Sequence, residues 1–166
     1  MSLTDEGHYG PKQLNLLEVV WGEGFLSPGG TEEIDEIVKN TNLEGKSILD
    51  IGCGCGGAAF HLIKKYKAKS VEGIDPEHLV IETAHKLAKK NNLSGLATFK
   101  QIKPGPLQYA DESFDVVFSK EAFLHIPDKE ALLKDVHRVL KPDGLVIVSD
   151  WMRMDDNPPS AQMKEY

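Results

Sequence analysis

Cysteine is scarce in this 166-residue sequence, and long hydrophobic runs are absent. The two cysteines, Cys53 and Cys55, are too close together in sequence to cross-link a fold by a disulfide. No second cysteine pair is present to complete a zinc site. We therefore expect no metal and a reducing, cytoplasmic setting. No apolar stretch reaches the roughly 18 residues that a transmembrane helix needs. Residues 1–7 have neither a basic start nor an apolar core, so we expect no signal peptide and no membrane partner.

Basic residues are also comparatively few, with 19 Lys and Arg against 26 Asp and Glu, a formal net charge of −7. An acidic protein gains little from counterion release, so nucleic acid is disfavoured as the main partner. Hydrophobic residues make up 40% of the chain and charged residues 27%, which is ordinary for a globular protein, and the length fits one domain.

Short apolar runs alternate with helical patterns between residues 45 and 151. Strands are predicted at 47–51, 69–75, 97–102, 114–119 and 145–150, helices at 58–66, from Pro76 onward and at 129–140, and a turn at 141–144. This alternation predicts an α/β fold with a parallel sheet and right-handed crossovers. Ligands bind such sheets at the carboxyl ends of the strands, which directs attention to residues 50–57, 75–76, 102–104, 119–125 and 150–152.

A glycine-rich loop follows the first predicted strand, in the run Asp50-Ile51-Gly52-Cys53-Gly54-Cys55-Gly56-Gly57. It satisfies both G-x-G-x-x-G, the dinucleotide fingerprint, and D-x-G-x-G-x-G, the loop of S-adenosylmethionine (SAM) methyltransferases. Asp75, at the end of the second strand, would bind ribose hydroxyls in either case, or would cap the helix that follows. Asp50 favours SAM, because a carboxylate attracts the sulfonium and ammonium groups of SAM but repels an anionic pyrophosphate. An NAD-dependent oxidoreductase stays open as an alternative, as does a loop whose glycines merely turn the chain.

The sequence resembles class I SAM-dependent methyltransferases across residues 45–152. The residues that carry the resemblance are Ile48 to Gly54, Val71 to Asp75, Phe114 to Ser119 and Val139 to Leu145. The resemblance implies a three-layer Rossmann-like fold with strand order 3-2-1-4-5. It also implies two further strands, 6 and 7, which would be missing here. Residues 1–44 would then be a helical segment covering the cofactor, residues 45–152 the SAM-binding core, and residues 153–166 the start of a truncated acceptor region.

Two segments resemble phosphoethanolamine N-methyltransferases more closely: residues 21–30, which in that family cover the cofactor, and residues 119–126. The resemblance implies that Leu26 and Ser27 touch SAM and that Lys120 lies near it, Lys120-Glu121 standing where the family usually has Arg-Asp. With the glycine loop and the strand ends, the predicted cofactor-binding residues are Leu26, Ser27, Asp50, Gly52, Cys53, Gly54, Asp75, Pro76, Ile102, Lys103, Ser119, Lys120 and Glu121.

The same resemblance points to His125 as a catalytic residue that takes a proton from the acceptor amine and contacts the substrate. A histidine suits this role because its unperturbed pKa lies near neutrality; the alternative is a packing role beneath the next helix. In the family a tyrosine near the N-terminus assists, but the matching position here is Leu3, so Tyr9 is the candidate. Tyr166 resembles a tyrosine that contacts the substrate phosphate.

One departure concerns adenine. An acid normally follows the third strand and bonds the adenine amino group, whereas this chain has Lys103, which cannot accept that hydrogen bond. The sequence thus predicts methyl transfer from SAM to the nitrogen of a small amine, phosphoethanolamine-like or sarcosine- or glycine-like, leaving S-adenosylhomocysteine (SAH). A SAM-binding fragment without turnover is the other reading, and the open edge of the fifth strand suggests a homodimer.

Overall fold

The computed structural model describes residues 9–152, which form a five-stranded sheet flanked by five α-helices. The strands are β1 (Ser47–Ile51), β2 (Ser70–Asp75), β3 (Ala97–Gln101), β4 (Phe114–Lys120) and β5 (Leu140–Ser149). The helices are α1 (Pro11–Trp21), α2 (Gly30–Val38), α3 (Gly57–Tyr66), α4 (His78–Lys90) and α5 (Lys129–Val139), and a 3₁₀ turn spans Phe123–His125. The predicted acceptor segment, residues 153–166 with Tyr166, lies outside the described residues.

The sheet has the order β3-β2-β1-β4-β5 with all pairs parallel, which confirms the predicted fold class and strand order. β1 lies in the middle, where Asp50 pairs with Gly73 on β2 and with Phe118 on β4. The chain leaves β1 toward one side of the sheet and β4 toward the other, so the carboxyl ends of these two strands flank the crevice where such sheets bind ligands.

Neighbouring residues of a strand point to opposite faces of the sheet. Both faces of these strands are apolar, so helices cover both of them. Ile48 belongs to the apolar cluster that contains residues of α1 to α4, whereas Leu49 belongs to a second cluster with α5. Both side chains are buried, as continuous apolar strands require in a three-layer fold. None of the described helices is long and apolar enough to cross a bilayer.

Two element boundaries differ from the prediction by two residues or more, and the others agree within one residue. α4 begins at His78 rather than at Pro76, because an oxygen of Asp75 accepts a hydrogen bond from the Glu77 amide (3.0 Å) and closes a turn around the proline. β5 begins at Leu140 and contains the predicted turn: Phe114 pairs with Leu140 but Val116 with Leu145, so residues 141–144 bulge out of the strand.

Candidate cofactor site

A cleft of about 1150 Å³ opens at the carboxyl ends of β1, β2 and β4. Its volume exceeds the range of about 300–1,000 Å³ that is usual for a pocket holding one small molecule. Its charged lining is mainly acidic, with one lysine against these carboxylates: Asp50, Asp75, Glu77, Glu121, Asp128 and Asp135. The cleft therefore has room for two ligands, and its field favours cations over a pyrophosphate.

The glycine loop forms the floor of the cleft. The amides of Gly52 and Cys53 both donate to the Ile74 carbonyl (2.8 and 3.1 Å), which fixes the loop against β2. Gly52 has a φ of +76°, and a Cβ at this position would lie 2.1 Å from the Cβ of Ala122. Only glycine lets the loop after β1 approach the segment after β4 this closely.

Asp75 ties the end of β2 to this loop. One carboxylate oxygen accepts from the Gly54 amide (3.2 Å), and the other from the Glu77 amide (3.0 Å). Burial raises the pKa of Asp75, and the negative charge of Glu77 adds to this, while the two backbone hydrogen bonds act in the opposite direction. Each carboxylate oxygen has a second lone pair, so Asp75 can still accept hydrogen bonds from ligand hydroxyls.

Asp50 is buried at the end of β1, with 2% of its surface exposed. Its Oδ2 atom has no hydrogen-bond partner among the described residues, although the side chain lines the cleft. Burial, and secondly the charge of Asp75, raises the pKa of Asp50 to about 7. A buried carboxylate without a partner is costly, and a cationic ligand would relieve that cost. This orphaned oxygen, beside a loop where Cβ atoms are excluded, fits SAM.

Residues 22–29, here called the strap, run from α1 to α2 across the glycine loop. The Gly57 amide donates to the Gly24 carbonyl (3.0 Å), and a Cβ at Gly54 would come within 3.3 Å of the Leu26 side chain. The Ser27 hydroxyl accepts from Lys120 Nζ (2.8 Å). The structure thus brings Leu26, Ser27 and Lys120 together at the glycine loop.

Lys120 is the last residue of β4 and Glu121 follows it, and both line the cleft. The Lys120 side chain is 6% exposed and lies 2.9 Å from a Glu121 oxygen. Glu121 has a φ of +55°, uncommon for a residue other than glycine, and its amide donates to the Ser149 carbonyl (2.7 Å). Backbone strain of this kind is concentrated at functional sites.

The two predicted catalytic residues line the cleft but share no hydrogen bond. Tyr9 lies at the end of β2, where burial, and then the charges of Asp75 and Glu77, raises its pKa. His125 is exposed in the 3₁₀ turn after β4, so a packing role beneath α5 is disfavoured.

Two other predicted residues do not reach the cleft. Ser119 is completely buried and donates its hydroxyl proton to the Ile51 carbonyl (2.8 Å), so it links β4 to β1. Lys103 is exposed and is not part of the lining, although its neighbours Ile102 and Pro104 are. The remaining predicted cofactor residues within 9–152 all line the cleft.

Some lining residues, among them Glu77 and Asp135, were not predicted from the sequence. Glu77 follows Asp75 by two positions, a signal that could have found it. Asp135 gave no such signal, because it reaches the cleft from α5, where its carboxylate accepts from the Leu107 amide (2.7 Å).

No group of three or more His, Cys, Asp or Glu side chains within residues 9–152 is arranged to hold a metal ion. Both cysteines are free and buried. Burial raises the pKa of Cys55 to about 12 and that of Cys53 well above its ordinary value, so both stay as thiols near neutral pH.

Known proteins resemble this chain over nearly its whole length. A family model described as a methyltransferase domain matches residues 42–166. Phosphoethanolamine N-methyltransferase 1 of Arabidopsis thaliana is 38% identical over 163 residues, covering 98% of this chain and 32% of that protein. A sterol 24-C-methyltransferase of Aspergillus fumigatus is 35% identical over 125 residues, covering 73% of this chain and 33% of that protein.

A solved structure of Haemonchus contortus phosphoethanolamine N-methyltransferase 2, in complex with phosphomonomethylethanolamine and SAH, superposes with a TM-score of 0.88. It is 28% identical, and the match covers 98% of this chain and 38% of that one. The chain spans about a third of the length of the first curated relatives it matches.

Proposed function

The chain belongs to the methyltransferase domain family, and from that premise we propose that its cleft holds SAM and that the protein transfers a methyl group to the nitrogen of a small amine. The observation that carries the proposal is Asp50, whose buried Oδ2 atom lines the cleft with no hydrogen-bond partner among residues 9–152. Bound SAM would supply a methyl group activated by its sulfonium cation.

Four groups of residues would hold the cofactor. The Asp50 carboxylate would offset its positive charge, and Asp75 would accept hydrogen bonds from the ribose hydroxyls. Gly52 and Gly54 let the backbone approach it, and Leu26 and Ser27 cover it from the strap. A pyrophosphate would meet the carboxylates of Asp50 and Asp75 here, which disfavours the NAD-dependent alternative.

His125 is the proposed catalytic residue. Its side chain lines the cleft. Its ring nitrogens form no hydrogen bond with another residue among 9–152. It would accept a proton from the acceptor ammonium, which leaves a neutral nitrogen with a lone pair for attack. Tyr9 lies beside Asp75 and Glu77, and these neighbours support a place next to the cofactor more than a direct partnership with His125.

The acceptor is proposed to be a phosphoethanolamine-like amine. The acidic lining of the cleft suits its ammonium group, and the plant and nematode relatives are phosphoethanolamine N-methyltransferases. The lone lining lysine, Lys120, is already paired with carboxylates, so the acceptor phosphate would be bound by groups outside residues 9–152. Tyr166, predicted for that role, lies there. A sterol C-methyltransferase among the relatives shows that family membership alone does not fix the acceptor.

The test is methyl transfer from SAM to phosphoethanolamine, sarcosine and glycine, with product masses read by mass spectrometry. We expect a 14-dalton increase on phosphoethanolamine, abolished by excess SAH. Binding of SAH without product would support the alternative of a SAM-binding fragment without turnover. A folded chain that binds NADH but neither SAM nor SAH would contradict the proposal.

Three further expectations accompany it. We propose that nucleic acid is not a partner and that the protein is cytoplasmic, in line with its acidity and its two free cysteines. We also propose a homodimer through β5, since within residues 9–152 this strand pairs only with β4 and exposes Leu145, Val146 and Val148. Sedimentation of the chain at two concentrations tests the dimer.

A further inference from the structure

The strap is joined to its two helices at glycines whose backbone conformation other residues rarely adopt. Gly22 follows α1 with a φ of +103°, and Gly29 precedes α2 with a φ of +92°. Between them the strap lies across the glycine loop, with Leu26 over Gly54. Glycine has no side chain that would restrict the backbone at these two positions. The position of the strap therefore depends on the contacts that it makes along its length.

Apart from the buried Phe25 side chain and a hydrogen bond from the Gly24 amide to Glu18 of α1 (3.2 Å), two sets of polar side-chain contacts hold the strap. On one side Glu23 forms an ion pair with Lys90 and accepts from the Asn91 amide group (2.9 Å), at the end of α4. On the other side Lys120 Nζ donates to the Ser27 hydroxyl and to the Pro28 carbonyl, both at 2.8 Å. The Lys90 and Glu23 side chains are 68% and 41% exposed, whereas Lys120 is 6% exposed. Exposed ion pairs contribute little, so of these two sets the Lys120 contacts are the stronger.

Lys120 uses all of its donors within the protein. Its ammonium group has three N–H bonds, and Ser27, Pro28 and Glu121 accept them. A contact between Lys120 and a cofactor would have to displace one of these three. The arrangement therefore suits a lysine that holds the strap rather than one that binds the cofactor directly.

Glu33 supplies a second negative charge to this lysine. Its Oε2 atom lies 2.8 Å from Lys120 Nζ, and its side chain is 32% exposed. Glu33 sits in the first turn of α2, immediately after the strap ends. It faces the lysine from a different element than Glu121. Since Glu33 Oε2 accepts no hydrogen bond among the described residues, its contact with Lys120 is one of charge alone.

The helix that carries Glu33 is itself firmly attached. Ile34 and Val38 are completely buried beneath α2. Asp35 accepts from Tyr66 (2.7 Å) and lies against His61 and Lys65 of α3 (2.7 and 2.6 Å). These contacts lower the pKa of Asp35 far below its ordinary value, so its charge persists at physiological pH. Glu33 thus reaches Lys120 from a fixed support.

We propose that Glu33 is a positioning residue that acts through Lys120 to hold the strap closed over the cofactor. This inference rests on the proposed function, in which SAM binds beneath the strap. Glu33 contacts the lysine and is not itself part of the cleft lining, so its effect is on cofactor retention and not on the chemical step.

The test compares Glu33→Gln with Glu36→Gln, a matched change on the same helix at an exposed glutamate that pairs with Lys39. In the ligand-free protein, Glu33→Gln should speed amide hydrogen exchange in residues 22–29 by about tenfold, as expected when one charge–charge interaction is removed at a partly screened site. SAH should also dissociate faster and the KM for SAM should rise by a similar factor, with kcat unchanged. Glu36→Gln should change none of these, and Glu33→Asp should recover part of the effect.

Unchanged exchange in the strap of a folded Glu33→Gln protein would overturn the proposal. A fall in thermal stability with uniformly faster exchange would also overturn it, because it would indicate a purely structural role. If Glu33→Gln does not fold, Glu33→Asp, which keeps the charge but withdraws it from Lys120, should speed exchange in the strap to a smaller extent. Failure of the wild-type chain to bind SAH would contradict the proposed function, whereas the exchange comparison needs no ligand.

Discussion

Replacing Asp50 by asparagine should stabilise the ligand-free protein at alkaline pH while weakening its hold on SAM. The carboxyl is 2% exposed, and its Oδ2 atom has no hydrogen-bond partner among the described residues. Burial, with the charge of Asp75 as a second cause, raises its pKa from 3.8 to about 7. Asparagine keeps the shape and cannot ionise, so the substitution removes the cost of a buried charge.

The expected magnitude follows from the two pKa values. Between them the unfolded chain has lost the Asp50 proton and the folded chain still holds it, so wild-type stability falls as pH rises, by about 1.4 kcal/mol per pH unit. From pH 5 to pH 7 this amounts to about 3 kcal/mol, and above the folded pKa the loss stops growing. The stability of Asp50→Asn relative to wild type should therefore rise by about 3 kcal/mol from pH 5 to pH 8.

Urea unfolding at pH 5, 6, 7 and 8 measures this difference. The other ionisable groups are common to both proteins, so their contributions to the pH dependence largely cancel in the comparison. Asp143→Asn, which changes an exposed aspartate in the β5 bulge, is the matched control and should follow wild type at every pH. Parallel stability profiles for Asp50→Asn and wild type would refute the reasoning, because Asp50 would then ionise normally.

Two further substitutions test the floor and the chemistry of the cleft. Gly52→Ala should cost about 2 kcal/mol or more in urea unfolding and abolish SAH binding, since its Cβ would meet Ala122 at 2.1 Å in a left-handed conformation. Adding Ala122→Gly should recover part of that stability, and no loss in the single variant would contradict the packing. His125→Asn should slow methyl transfer by about 100-fold with SAH affinity within about twofold in calorimetry. An unchanged rate would remove His125 from catalysis.

Most of the sheet could be predicted because its strands are short apolar runs bounded by glycine, proline and polar residues. The two larger boundary differences come from contacts that periodicity does not encode. Proline suits the first turn of a helix, yet the Asp75 side chain captures the Glu77 amide and delays α4 to His78. Residues 141–144 do form a turn, but β5 pairs with β4 both before and after it.

The site was predictable where the chemistry lies in local sequence, as in the glycine loop and at the ends of β1 and β2. Strand alternation could also have separated Ser119 from Lys120, since adjacent residues of β4 point to opposite faces. Phe118 and Lys120 line the cleft, and Ser119 points away from it. The pairing of Lys120 with Glu33 joins residues 87 positions apart, so only the folded chain reveals it.

A SAM site in the cleft under the strap would be seen in amide NMR spectra of the protein recorded during titration with SAH. The amides of Gly52, Gly54 and the strap should shift together and saturably, while those of the β5 bulge at residues 141–144 stay in place. NADH at the same concentrations should shift none of them. Spectra of the folded chain that do not respond to SAH, or that respond at the glycine loop to NADH instead, would rule out a SAM site beneath the strap.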